Sequence, residues 1–232
     1  TFEFPAPAVI TLDEDTSRHI AQVLRMQAGE QLALTNGKGV RLITTIENAH
    51  KKHCIVRVDG SEITDAPVRK LTMAVALLKN TSRIEWFLEK ATEMGVHRIV
   101  MMHTHRTVKE KFRRDRMMGI LISAMLQSQQ TWLPELIDPV TPAVLFQQAF
   151  LKDIQHRYIA HCLPLQRNSW LQEELSKQDN TILMIGPEGD FTPEEIDSAL
   201  AEKFIPVMLG NNRLRTETAA MAAVAGYYLS QD

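Results

Sequence analysis

The chain has 232 residues, 44% hydrophobic and 23% charged, the profile of an ordinary folded protein with room for one large domain or a small one joined to a medium one. Its two cysteines, Cys54 and Cys162, stand without a Cys/His ligand spacing, which excludes a disulfide scaffold and structural zinc, and no apolar run reaches the roughly 18 residues that span a bilayer. The net charge of −2 hides a segregation: residues 1–70 balance nine Lys/Arg with nine Asp/Glu, residues 71–116 carry ten against five, and residues 117–232 carry seven against fourteen. Local potential governs the attraction of a phosphate backbone, so the middle third, most basic over 103–116, is a candidate nucleic-acid face. A solvated mixed-charge helix is the alternative reading. Residues 1–7 lack the basic and apolar regions of a signal peptide, and Thr1 in place of Met points to processing or a trimmed start. A cytoplasmic protein is expected.

From the amino end the pattern is one of short strands around a helix. That helix is expected over 15–27, with Ile20, Val23, Leu24 and Met26 on one face and Gly29 just past its end. Strands are expected over 32–35 and 40–47, flanking Asn36-Gly37-Lys38-Gly39, whose Asn-Gly step signals a hairpin. A third, over 54–58, alternates apolar and polar residues. Short strands with one small helix predict a compact β-barrel over 1–67, a shape suited to RNA contact, and Asp65-Ala-Pro67 reads as the boundary linker.

Over 68–232 strand and helix alternate. Residues 71–78 are a near-continuous apolar run, as for a strand buried on both faces. Ser82-Arg-Ile-Glu85 reads as a capping box opening a helix whose Ile84, Phe87, Leu88 and Ala91 share a face, and Gly95 stops it. A strand over 98–103, a helix over 114–129, and strands over 158–162, 182–185 and 205–209, each followed by a helix, predict an α/β domain with a largely parallel sheet. The eleven methionines read as core filler.

Two loops carry the chemistry. One leaves the strand over 182–185 through Gly186-Pro-Glu-Gly-Asp190 and enters a helix at Thr192-Pro193-Glu194-Glu195, with an N-cap, an early proline and a capping glutamate. The other leaves Leu209-Gly210, passes through Asn211-Asn-Arg-Leu-Arg215 and enters a helix at Thr216-Glu217-Thr218. Both lie at carboxyl ends of strands, where open α/β sheets bind ligands, and Gly186, Gly189 and Gly210 would let the backbone approach a ligand closely. Neither matches the GxGxxG or GxxxxGK[ST] spacing, so a dinucleotide and a P-loop nucleotide are disfavoured. Read from residues alone, this is an α/β ligand-binding enzyme, with a plain turn as the alternative for Gly-Pro-Glu-Gly.

Ile185-Gly-Pro-Glu-Gly-Asp-Phe-Thr-Pro-Glu-Glu-Ile196 and Leu209-Gly-Asn-Asn-Arg-Leu-Arg-Thr-Glu-Thr-Ala219 resemble the two signature blocks of the RsmE family, small-subunit ribosomal RNA uridine-N3 methyltransferases of the SPOUT class. Lys79, Glu89-Lys-Ala-Thr-Glu-Met-Gly-Val96, Arg106-Thr107, Gln127-Ser128 and Pro134 resemble further landmarks, and His19-Ile-Ala-Gln-Val-Leu-Arg25 with Gly29 resembles the family's N-terminal domain. The chain departs from the pattern at Leu126 and Gln130, at Asp190, where glycine is common, and at Asn211-Asn212-Arg213.

The resemblance implies a PUA-like barrel followed by an α/β domain ending in a deep trefoil knot, in a homodimer. It implies S-adenosylmethionine held by three loops: Leu163; Ile185, Gly186, Pro187, Glu188 and Gly189; and Leu209, Gly210, Asn211, Leu214 and Thr216. The implied reaction methylates N3 of a specific uridine in 16S ribosomal RNA within the assembled small subunit. Uracil N3–H is not ionised at neutral pH, so the enzyme must orient N3, remove its proton and stabilise charge on the uracil oxygens. Arg215 suits the last role, since its charge is permanent and its fork spans planar oxygens. Glu217 or Glu188 would accept the proton, Glu217 having the alternative of serving the helix dipole; His161 is a weaker candidate base. Arg18, Arg25, Lys79, Arg106, Arg113 and Arg114 are the expected RNA contacts, and no metal is expected. The rivals are a SPOUT methyltransferase acting on another RNA and a non-catalytic RNA-binding assembly factor.

Overall fold

The structure, a computed structural model, describes residues 2–108, 111–163, 169–175 and 179–230. The chain separates into two compact units, Thr1–Ala66 and Pro67–Asp232.

In the first unit, β1 (Val9–Thr11), β2 (Gln31–Thr35), β3 (Val40–Asn48) and β4 (Ile55–Ile63) form one antiparallel sheet in the order β1-β4-β3-β2. Gly37 and Gly39 turn β2 into β3 with φ of +68° and +87°, a backbone that residues with a Cβ rarely adopt. Helix α1 (Glu14–Arg18), capped by the Asp13 carboxylate on the Thr16 amide, runs into a π turn over His19–Val23. Ile20 packs there with Ile46, Cys54 and Val56. The helix expected to reach residue 27 ends earlier, and Arg25 takes φ +56° just beyond it. Among the described residues no ladder joins the outer strands β1 and β2, so the expected barrel is not closed by strand pairing.

The second unit runs β5 (Leu71–Ala76), α2 (Thr81–Glu93), β6 (Arg98–Met102), α3 (Arg114–Gln127), β7 (Glu135–Val140), α4 (Pro142–Leu145), a 3₁₀ turn (Ala149–Asp153), β8 (His156–Ala160), β9 (Ser169–Trp170), α5 (Leu171–Glu174), β10 (Thr181–Ile185), α6 (Pro193–Ala201), β11 (Ile205–Met208) and α7 (Thr216–Leu229). The seven strands are parallel, in the order β7-β6-β5-β10-β8-β11-β9. Every residue of β5 and β10 is buried because both faces of the sheet are covered. One core gathers Ile84, Phe87 and Leu88 of α2, Met117 and Leu121 of α3, and Ala220 and Val224 of α7. The other gathers Leu145, Leu151, Phe191, Ile196 and Phe204. Burying a side chain such as Phe87 or Leu88 contributes about 1.5–3 kcal/mol.

Two local readings are corrected. The cap of α2 is Asn80, whose side chain accepts from the Ser82 amide at 3.0 Å. Glu85 does not close a box with Ser82, because the Arg116 guanidinium takes both its oxygens. Strand β7, absent from the sequence reading, contains Pro139 and lies at the sheet edge, where a missing amide donor is tolerated. Among the described residues no helix is long and apolar enough to cross a membrane.

Candidate active site

Because β10, β8 and β11 are parallel neighbours, with Ile185 opposite Ala160 and Ala160 opposite Val207, their following loops emerge side by side at one edge of the sheet. Side chains then tie the loops together. Asp190 accepts from the Cys162 amide at 2.7 Å and from the Phe191 amide at 2.8 Å, joining the loop after β8 to the loop after β10. Its own amide donates to the Pro187 carbonyl at 2.9 Å, and its φ is +63°. A glycine would take that left-handed backbone without strain, and the two bonds to the carboxylate are what an aspartate adds there. Thr216 donates from Oγ1 to the Gly186 carbonyl at 2.8 Å, docking the start of α7 on the same loop.

The glycines divide by what surrounds them. A Cβ on Gly186 would stand 3.1 Å from the buried Phe191 ring, and one on Gly189 would meet the Arg106 side chain at 3.3 Å. Gly210, with φ +154°, faces open space. Gly186 is therefore small so that the loop can pack on itself, whereas the bare backbone of Gly210 is open to a ligand. Leu163 and Leu214 are exposed on their loops, apolar surface of the kind that accepts a flat heterocycle. Residues 164–168, which continue the first loop, lie outside the described residues.

The loop after β5 joins this edge, since Val75 lies opposite Ile185. Lys79, Asn80, Thr81, Ser82 and Arg83 line an open cleft of about 550 Å³ together with Glu188. Glu217, in the first turn of α7, is buried and faces Arg83, with Oε1 at 3.5 Å from its Nε. Arg215 precedes α7, is exposed, and makes no ion pair or side-chain hydrogen bond among the described residues. Burial pushes the His161 imidazole below its ordinary pKa, with the Asp190 carboxylate opposing the shift, which favours the neutral ring.

The expected RNA contacts also divide. Arg25, Lys79 and Arg113 are exposed and carry no ion pair among the described residues, whereas Arg18 pairs with Glu14 and Asp15. Arg114 pairs with Asp138 and donates to the Leu136 carbonyl. Arg106 donates to the Gly189 carbonyl at 2.6 Å and the Phe191 carbonyl at 3.3 Å, bracing the loop after β10 from outside. Gln130 donates to the Thr92 and Glu93 carbonyls and ties the end of α3 to α2. Residues 109–110 of the basic stretch lie outside the described residues. Among those described, no group of three His, Cys, Asp or Glu is placed to hold a metal ion.

Arg83 entered the sequence reading only as part of the Ser82–Glu85 helix start and not as a site residue. The available signal was its position four residues after Lys79, just past a buried strand that ends at the edge holding the glycine loops. Which acidic residue it would meet was not readable along the chain, because Glu217 comes from the opposite end of this unit.

Residues 64–227 match the family described as RNA methyltransferase domain, and residues 12–59 match the one described as RNA methyltransferase PUA domain. The chain is 31% identical, over 94% of its own length and 72% of the relative's, to ribosomal RNA small subunit methyltransferase E of Synechocystis. It is similar to a crystal structure described as a "probable rRNA-methyltransferase" from Porphyromonas gingivalis, with a TM-score of 0.85 and 37% identity, covering 95% of this chain and 93% of that one. It is also similar to ribosomal RNA small subunit methyltransferase E from Neisseria gonorrhoeae bound to S-adenosyl methionine, with a TM-score of 0.82 and 26% identity, covering 94% and 90%.

Proposed function

Because the chain belongs to the RNA methyltransferase family that includes ribosomal RNA small subunit methyltransferase E, we propose that it methylates N3 of a uridine in 16S ribosomal RNA with S-adenosylmethionine as donor. Within that family, the observation that carries the reading is the meeting of three loops, after β8, β10 and β11, at one sheet edge, with Arg215 and the Lys79–Glu188 cleft beside them. The residues fit the donor: Gly210 leaves open backbone, and Leu163 and Leu214 offer apolar cover for a purine.

S-Adenosylmethionine supplies an electrophilic sulfonium methyl when bound. The chain's own residues must do the rest. The loops Ile185 to Gly189 and Leu209 to Leu214 orient the donor, and Arg215, whose side chain makes no ion pair or hydrogen bond among the described residues, offers its planar fork to the uracil oxygens as charge develops. Glu188, exposed on the cleft, accepts the N3 proton; Glu217 is committed to Arg83.

The same reading includes finer features of the family. A trefoil knot is supported by the insertion of β10 between the earlier strands β5 and β8 and by the return of α7 onto β5, β10 and α2. A homodimer is supported by exposed Ile122 and Leu126 on α3 and Tyr228 and Leu229 at the end of α7. The assembled small subunit is the proposed substrate, recognised in part through the first unit, and the cytoplasm is the proposed site of action.

The test is methyl transfer to small ribosomal subunits from cells lacking the modification, followed by mapping of the product. N3-methyluridine at one 16S position is expected. Transfer to another RNA would favour the first rival, and a folded chain that binds no S-adenosylmethionine would favour the assembly factor.

A further inference from the structure

The cleft beside the donor loops holds two cations, Lys79 with no ion pair among the described residues and Arg83 with a single carboxylate, Glu217, against its Nε. Among the described residues neither Nη group of Arg83 makes a hydrogen bond, and the side chain lines a cleft of about 550 Å³. Behind it stands a largely buried carboxylate: the Glu217 side chain is 11% exposed against 32% for Arg83. Its Oε2 is buried with no hydrogen-bond partner. A buried charge is held by its counter-charge, so Glu217 fixes the inner side of the guanidinium and turns the outer fork toward the opening. A fork of two donors with a lysine beside it matches the oxygens of a phosphodiester.

Resting on the RNA methyltransferase reading above, we infer that this cleft seats a backbone phosphate of the RNA next to the target nucleotide, with Arg83 as its bidentate donor, Lys79 as the second cation and Glu217 as the positioning residue behind Arg83. The cleft is open, as a site for a polymer must be, and Glu188, which also lines it, repels a phosphate and so favours its seating by Lys79 and Arg83. A second anion is available in the reaction, the carboxylate of the methyl donor, and the two sources differ in what they do to salt dependence.

The experiment titrates the full chain with small ribosomal subunits lacking the modification across a salt series. Donor affinity is measured in parallel by calorimetry with S-adenosylmethionine, and folding by thermal unfolding. Arg83→Ala should weaken RNA binding and lower the slope of log K against log salt by about 0.7–0.9, the loss of one phosphate contact, with donor affinity unchanged. Arg83→Lys should restore the slope, since the charge returns, but leave KM for the subunit raised, since the fork does not. Glu217→Gln removes a negative charge; a positioning role predicts weaker RNA binding all the same, whereas tighter binding would overturn that role. An unchanged salt slope in folded Arg83→Ala, or a fall in donor affinity in its place, would overturn the phosphate site. Methyl transfer by the parent chain, scored in the same series, separates this failure from failure of the methyltransferase reading.

Discussion

At the scale of single residues, Arg215 and Gly186 allow the sharpest tests. Arg215 stands between the loop after β11 and the first turn of α7, and its obvious acidic neighbour in sequence, Glu217, faces Arg83. A bracing role through a Glu217 pair is therefore not what the geometry offers. Arg215→Ala should lower the single-turnover rate by on the order of 10²–10³, the usual cost of removing one preorganised donor from developing charge, while leaving donor affinity nearly intact. Arg215→Lys should recover only part of the rate. A wild-type rate in folded Arg215→Ala protein would remove the catalytic role. Gly186 poses the opposite case. Its added methyl would press on Phe191, which is fixed in the core, so Gly186→Ala should cost about 1–3 kcal/mol of stability as an overpacking substitution. Urea unfolding checks this directly, and a neutral result would mean that the loop relaxes and that the glycine is kept for the ligand. Loss of donor binding in a Gly186 variant therefore carries weight only when the protein's stability is unchanged.

At the scale of elements, the start of α6 links two loops. Thr192 accepts from the Glu195 amide, and Glu195 accepts back from the Thr192 amide at 2.9 Å, a reciprocal capping box. The other oxygen of Glu195 accepts from the His105 amide at 2.8 Å, tying the segment after β6 to the same helix start. Thr192→Ala should cost about 1 kcal/mol, the ordinary cost of a lost N-cap. Glu195→Ala should cost more, because it frees a second loop, and it should also lower donor affinity, because the 103–108 segment carries Arg106, which donates to the Gly189 carbonyl of the donor loop. Equal losses of stability in the two variants, with donor binding untouched, would show that the His105 contact contributes nothing. At α2 the local pattern Ser82–Glu85 satisfied the same sequence rule, but the helix is capped by Asn80 and Glu85 serves Arg116 on α3. The rule identified the helix and missed its cap, since a carboxylate goes to whichever donor the tertiary structure brings nearest.

For the molecule as a whole, pH provides a test that needs no substrate. Burial, with the positive charges of Arg98 and Lys70, pushes the His97 pKa down against the opposing pull of Glu135, and burial pushes His161 down as well. Histidines with folded pKa values below the unfolded value of about 6.5 take up protons more readily once the chain unfolds. Stability therefore rises with pH through this range and falls as pH drops below about 6.5. Asp13, Glu85 and Glu194 have lowered pKa values, for Glu85 chiefly through the Arg116 hydrogen bond. Their contribution is lost only on acidification below about pH 4.5, so the two effects separate. Denaturant midpoints should decline between about pH 7 and pH 5.5, and His97→Gln with His161→Gln should flatten that decline. A flat profile in the parent chain would mean that neither imidazole is held neutral by the fold.

Part of the fold is written in nearest neighbours and short periods along the chain. The apolar run from Leu71 and the stretch 181–185 read as strands buried on both faces, and they are, as expected where helices cover both sides of a parallel sheet. The Thr192 capping box is complete within four residues, and the glycine loops were legible because they follow strands whose carboxyl ends must share one edge when the sheet is parallel. Tertiary structure alone decided which charges remain available. Arg106 donates to the carbonyls of the loop after β10, Arg114 pairs with Asp138, and Arg116 pairs with Glu85, while Lys79 and Arg113 carry no ion pair among the described residues. Nothing along the chain distinguishes these residues, because an arginine's partner is set by what stands within about 4 Å in space. Arg83 and Glu217 meet only because β5 and β10 are neighbours in the sheet and α7 returns across them, a long-range pairing that no local pattern encodes.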